Sequence, residues 1–75
     1  GADINKEDES GKTPLLKACD NNNKNVIKCL VELGADINKE DSHGKTPLYY
    51  AFQHGKENII KYLVEHGADI NKKYK

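Results

Sequence analysis

An internal repeat of 33 residues constrains this chain more than any other feature. Gly-Ala-Asp-Ile-Asn occurs at Gly1–Asn5, Gly34–Asn38 and Gly67–Asn71, and Gly-Lys-Thr-Pro-Leu at Gly11–Leu15 and Gly44–Leu48, always at that spacing. Laid over residues 34–66 without a gap, residues 1–33 give 20 identities, which chance does not produce. Two copies, 1–33 and 34–66, are complete, and a third starts at 67 and runs for nine residues to Lys75. A chain of 75 residues holds one small domain. Residues 1–75 therefore read as a single repeat segment, in which each unit buries its apolar face only against its neighbours.

Each copy can be read physically. Asp8-Glu9-Ser10-Gly11 and Asp41-Ser42-His43-Gly44 have turn chemistry, because Asp bonds its own backbone and Gly accepts positive φ. Thr13 and Thr46 then supply N-cap oxygens, followed by Pro14 and Pro47 at the first helical position, where no backbone N–H is missed. A short first helix is predicted over 14–21 and 47–54. Its apolar stripe is Leu15, Ala18 and Cys19, matched by Leu48, Ala51 and Phe52. Asn22 and Gly55 suit the left-handed conformation that ends a helix. A second helix is predicted over 24–33 and 57–66. Val26, Ile27, Leu30 and Val31, matched by Ile59, Ile60, Leu63 and Val64, give it a stripe wide enough for its partner helix and a neighbouring repeat. Gly34 and Gly67 stop it. The fold class expected is all-α, a solenoid of stacked helix-turn-helix units joined by hairpin-like loops.

The residues Thr13-Pro14-Leu15 and Thr46-Pro47-Leu48, Ala18 and Ala51, and the repeated Gly-Ala-Asp-Ile-Asn resemble the ankyrin repeat over the whole chain. The resemblance implies a non-catalytic protein-binding module that contacts its partner through hairpin tips and the concave surface of the first helices. This sequence departs from the family pattern in places. The usual His after Thr-Pro-Leu is Leu16 in one copy and Tyr49 in the other, and the second Ala is Cys19 and Phe52. Phe52 is bulky for a close helix contact, which implies repacking or an exposed ring. Lys73 and Tyr74 replace the acidic turn residues, so the third hairpin is expected to stay open.

Composition excludes several other classes. Twelve Lys balance twelve Asp plus Glu, and there is no Arg, so neither a basic field nor the usual reader of guanine edges points to nucleic acid. No apolar run approaches a membrane span, and no segment resembles a signal peptide. Cys19 and Cys29 lack zinc or redox spacing and are read as a buried, reduced pair, which implies a cytoplasmic or nuclear protein; a disulfide between them stays open. His43, His54 and His66 fall at a turn tip and two helix ends without ligand spacing, so no metal is expected. The two serines, Ser10 and Ser42, lie in turns with no motif that supplies an activating base. Each repeated Gly has a turn or helix-stop role, and nothing resembles a phosphate loop. No catalytic residue and no cofactor are expected.

Candidate partner-binding residues are those that differ between copies at tips or on the first helix: Glu9 and Ser42, Ser10 and His43, Lys17 and Tyr50, Asp20 and Gln53, Asn21 and His54. Tyr49 and Tyr50, with His43 and His54, give the composition favoured at interface hot spots. Two other readings stand beside binding. The near-identity of the copies fits a structural spacer of a longer array with no partner of its own. The abrupt ends fit an excised or engineered fragment, and the apolar second helix of the first copy, with no polar cap, fits end-to-end self-association. So short an array predicts stability that depends on concentration, and a monomer melting cooperatively above about 65 °C is incompatible with that expectation. The resemblance also marks Asn38 and Asn71 for asparaginyl hydroxylation, the alternative being that both simply bond the loop backbone.

Overall fold

The computed structural model describes residues 4–70. The described residues form four helices: α1 Pro14–Asp20, α2 Lys24–Glu32, α3 Pro47–His54 and α4 Glu57–Glu65. No strand is formed among the described residues. α1, α2 and α4 each end one residue earlier than the sequence suggests, and α3 ends at the expected place. Asn21, Leu33 and His66 each bond backward to helix carbonyls from the capping position.

The helix starts follow the reading from sequence. Thr13 Oγ1 accepts the Leu16 N–H and Thr46 Oγ1 the Tyr49 N–H, both at 3.3 Å, and both threonines are buried. Asn23 caps α2 by accepting the Val26 N–H at 3.3 Å, whereas Lys56 starts α4 with no side-chain cap. Asn22 takes φ 61° and Gly55 φ 65°, so the two residue types do the same conformational task. Asn22 performs it less well, because its side-chain oxygen is buried without a hydrogen-bond partner.

α1 packs on α2 and α3 packs on α4 within each copy, and α1 packs on α3 between copies. The first helices thus form an inner layer and the second helices an outer one. Leu15 and Leu48, with Ala18 and Ala51, are buried in both copies and hold the layers together. On the outer side, the Tyr62 hydroxyl donates to the Lys28 carbonyl at 3.5 Å, tying α4 to α2.

Equivalent positions separate burial within a repeat from burial between repeats. Cys19 has no exposed surface while Phe52, its counterpart, is 53% exposed. Val26 is 41% exposed while its counterpart Ile59 is 3% exposed. Each copy has the same internal hairpin, so these differences come from the neighbour. The second copy covers Cys19 and Ile27, and the first copy covers Ile59 and Leu63. The wide stripe of α2 and α4 is therefore shared between the partner helix and the adjacent repeat, as its period requires. Phe52 carries the exposed ring expected of so large a residue at this position.

The loops are stitched by the repeated asparagine. Asn5 Oδ1 accepts the Asp36 N–H at 2.8 Å, and Asn38 Oδ1 accepts the Asp69 N–H at 2.8 Å. Asn38 Nδ2 also donates to the Gly67 carbonyl at 3.1 Å.

The cysteine reading needs one correction. Cys19 is buried as expected and both thiols are free, but Cys29 lies exposed on α2. An apolar-periodic neighbourhood does not by itself bury a residue on the outer helix, which has a solvent side.

Candidate functional site

The candidate residues sit on two turns and the inner helices, so the turns come first. Asp8 Oδ1 accepts the N–H of Ser10 and the N–H of Lys12, each at 2.9 Å, and the Ser10 hydroxyl at 2.8 Å. Asp41 Oδ1 repeats the backbone pattern with the N–H groups of His43 at 2.8 Å and Lys45 at 3.0 Å. The turns close with Gly11 and Gly44 at φ 77°. The Lys12 N–H, then the Ser10 hydroxyl, hold the Asp8 carboxyl well below the usual carboxylate range.

The two turns touch. Ser42 donates to the Ser10 carbonyl from its N–H at 3.2 Å and from its hydroxyl at 2.7 Å. A Cβ on Gly11 would lie 2.6 Å from the Ser42 nitrogen, so Gly11 is required by close approach as well as by its φ. Ser10 and Ser42, named from sequence as partner-binding residues, are thus exposed residues that also join one tip to the next.

Lys17 and Tyr50 occupy equivalent positions and turn out to serve equivalent carboxylates, Asp8 and Asp41. Lys17 Nζ lies 3.3 Å from Asp8 Oδ2 on the surface. In the second copy the Tyr50 hydroxyl donates to Asp41 Oδ2. Tyr50 is only 5% exposed, and this corrects its reading as a partner-facing residue. The hydroxyl reaches back to the turn, and Lys12 Nζ stands over the ring at 5.5 Å from its centroid. Burial opposes the Asp41 charge, but the Tyr50 hydroxyl and the N–H groups of Lys45 and His43 outweigh it, so the carboxyl titrates below its ordinary value. Burial, then the bond to Asp41, pushes the Tyr50 phenol up.

Tyr49 is half-buried, edge-on to Tyr50 with centroids 5.8 Å apart, and Lys45 Nζ stands 5.1 Å from its centroid. Asp20 bridges the copies: its Oδ2 pairs with Lys12 Nζ at 3.1 Å and its Oδ1 lies 3.8 Å from His54 Nε2. Glu9, Asn21, His43, Gln53 and His54 are exposed, on the tips and the ends of α1 and α3. The structure thus brings Asp20 and His54 together, ties Ser10 to Ser42, and withdraws Tyr50. Leu16, at the position of the family's usual His, is fully buried and acts as core.

Sequence reasoning did not count Phe52 among the site residues, although it is the largest exposed apolar side chain of the inner layer. The available signal was its counterpart Cys19, small enough to lie beneath a neighbour. Among the described residues no group of His, Cys, Asp and Glu comes together as a metal site. His66 sits at the end of α4, stacked on Tyr62 with centroids 4.0 Å apart and Nδ1 2.7 Å from the Tyr62 carbonyl oxygen. No helix among the described residues is long and apolar enough to cross a membrane. Of the two hydroxylation candidates, Asn38 is exposed and engages the next loop through both amide atoms, while Asn71 lies outside the described residues.

Paired helices in two layers, loops joined at a fixed step and Thr-Pro starts define a helical repeat protein. The chain belongs to the ankyrin repeat family: the family model described as ankyrin repeats (3 copies) matches residues 1–74. A comparison with curated proteins gave no match. Ankyrin repeats are in general non-catalytic modules of protein–protein interaction.

Proposed function

We propose that this chain binds a protein partner along the strip formed by the two turn tips and the exposed sides of α1 and α3. The observation that carries this reading is the meeting of Asp20 and His54, 3.8 Å apart. Positions that vary between copies thereby form one continuous surface across two repeats. Asn21, Gln53, His54 and His43 supply polar contacts, and half-buried Tyr49 supplies an aromatic edge already held in place by Tyr50 and Lys45. Held side chains cost little further ordering on binding, which favours them as anchors. Two free thiols support a reducing compartment, cytoplasm or nucleus, as the place of action.

The test is selection of binders from a displayed peptide library, followed by amide shift mapping on the labelled chain. Perturbations at Asn21, His43, Tyr49, Gln53 and His54, with loss of binding in Gln53→Ala and His54→Ala, are the expected result. Perturbations confined to the outer faces of α2 and α4 would sink the reading. A spacer role without a partner is the second reading. It is favoured by the 20 identities between copies and by the internal use of Ser10, Lys17, Ser42 and Tyr50. Failure of every selected binder to engage the strip is its expected outcome.

A further inference from the structure

The copies differ in charge along the strip, and the differences run almost entirely one way. From the first copy to the second, Glu9 becomes Ser42, Ser10 becomes His43, Asp20 becomes Gln53, Asn21 becomes His54 and Asn23 becomes Lys56. Each change removes a carboxylate or adds a basic group. The one exchange in the opposite sense is Lys17 for Tyr50. There Lys12 Nζ of the first copy stands 5.5 Å from the centroid of the phenol ring, so a cation still covers that place. From Ser42 to Lys56 the chain carries no Asp or Glu.

The carboxylates that border this half are already engaged. Asp41 is buried and accepts the Tyr50 hydroxyl and the N–H groups of His43 and Lys45. Asp20 of the first copy lies 3.1 Å from Lys12 Nζ and 3.8 Å from His54 Nε2. His43, Gln53, His54 and Lys56 are exposed, and Lys45 Nζ stands 5.1 Å from the centroid of the Tyr49 ring. A ring face holds an ammonium in place without cancelling its charge.

We propose that the partner segment lying on the second copy is an acidic peptide, its carboxylates meeting Lys45, Lys56 and the imidazoles of His43 and His54. This rests on the reading of the strip as the binding surface and adds the chemistry of what binds there. Lysine presents its charge as a point, without the fork of arginine, so the surface selects the sign of the charge rather than one carboxylate geometry. Imidazole donates a hydrogen bond even when neutral, and the Gln53 amide donates beside it. The first copy sets the register. Exposed Glu9 and half-buried Asp20 meet an acidic segment with like charge, so the segment does not slide by one repeat. A nucleic acid is also anionic, but the chain has no Arg and its charges balance, which favours the peptide.

Peptides selected from a displayed library for binding to the chain are the probe. Each is compared with a copy in which every Asp and Glu is replaced by Asn or Gln. Fluorescence anisotropy measures affinity and amide shifts locate the site. Binders that shift His43, Gln53 and His54 should be acidic. Their neutral copies should bind at least ~10-fold more weakly in about 50 mM salt, and less than ~3-fold more weakly in about 0.5 M salt, where screening shortens the reach of charge. Lys45→Gln should weaken the acidic peptide and leave its neutral copy unchanged; Lys56→Gln takes its place if circular dichroism shows lost helicity. Strip binders without acidic residues, neutral copies that bind equally well, or a single-stranded oligonucleotide that binds more tightly than the peptides would overturn the proposal and leave the strip as the binding surface. Absence of any strip binder removes that surface, and the proposal with it.

Discussion

Asp41 and Tyr50 hold one another in opposite protonation states, and a stability profile against pH should show it. The Asp41 carboxyl titrates below its ordinary 3.8 in the folded chain, so its contribution is present above that pH and lost as pH falls through the folded value. The Tyr50 phenol titrates above its ordinary 10.0, so its contribution is present below that pH and lost as pH rises through the folded value. Between these limits Tyr50→Phe should cost about 1–3 kcal/mol, because a buried carboxylate oxygen loses its donor. Lys17→Ala, at the equivalent surface pair, should change stability by less than about 1 kcal/mol. Urea midpoints measured from pH 3 to 11 give both numbers, and an unchanged midpoint for Tyr50→Phe contradicts the account. Thiol reactivity is a second test at this scale. Burial pushes the Cys19 thiol up to about 12, while Cys29 is exposed. A maleimide at neutral pH should add once, at Cys29, with Cys19 labelled only on unfolding, as intact mass will report. The Lys17 and Tyr50 pair also shows where sequence reading stopped. Variation between copies looked like freedom to face a partner, yet each residue answers to the turn carboxylate of its own copy. That the phenol is buried where the ammonium is exposed is decided by packing, which one-dimensional pattern does not contain.

At the scale of elements, the same 33-residue pattern was informative because each helix is bounded by chemistry that acts locally. Thr-Pro starts, the Asp-to-Gly turns and the left-handed stops at Asn22 and Gly55 are all short-range and were legible. The end of α2 fell one residue early because Leu33 caps with ψ 0°, a choice that its apolar character does not announce. What remained hidden was the meeting of one turn with the next. Gly11 and Gly44 share φ 77°, so alanine at either should cost about 1 kcal/mol for the left-handed backbone alone. Gly11→Ala must in addition displace the Ser42 nitrogen at 2.6 Å, whereas Gly44→Ala meets only the Glu40 carboxylate oxygen at 3.5 Å. The Gly11 variant is therefore expected to be the less stable of the two. Equal thermal midpoints would show that the tips do not pack as closely as described.

For the whole molecule, the inner helices α1 and α3 pack on their own partners and on each other, whereas α2 and α4 pack chiefly on their own partners and meet through the Tyr62–Lys28 bond. Amide exchange followed by mass spectrometry should therefore find α1 and α3 protected at least ~10-fold more than α2 and α4. Uniform protection across all four would mean a single cooperative unit with no layer order. The architecture was legible because a repeat names its own neighbour: whatever one copy buries, the next must cover. Which residues stay uncovered was legible only in part: the bulk of Phe52 announced an exposed ring, whereas Val26 and Ile59 look alike in the pattern and differ in what lies above them.

The asparagine rungs reach further than stability. Asn5 takes the amide of Asp36 and Asn38 that of Asp69, the same interval each time. A gene that gains a stretch encoding 33 residues keeps every rung matched, donor to acceptor. A gain of one residue more or fewer leaves the asparagine of that copy facing the wrong amide. Whole units are therefore the changes of length that leave this ladder of loop bonds intact, so such a chain is counted rather than measured.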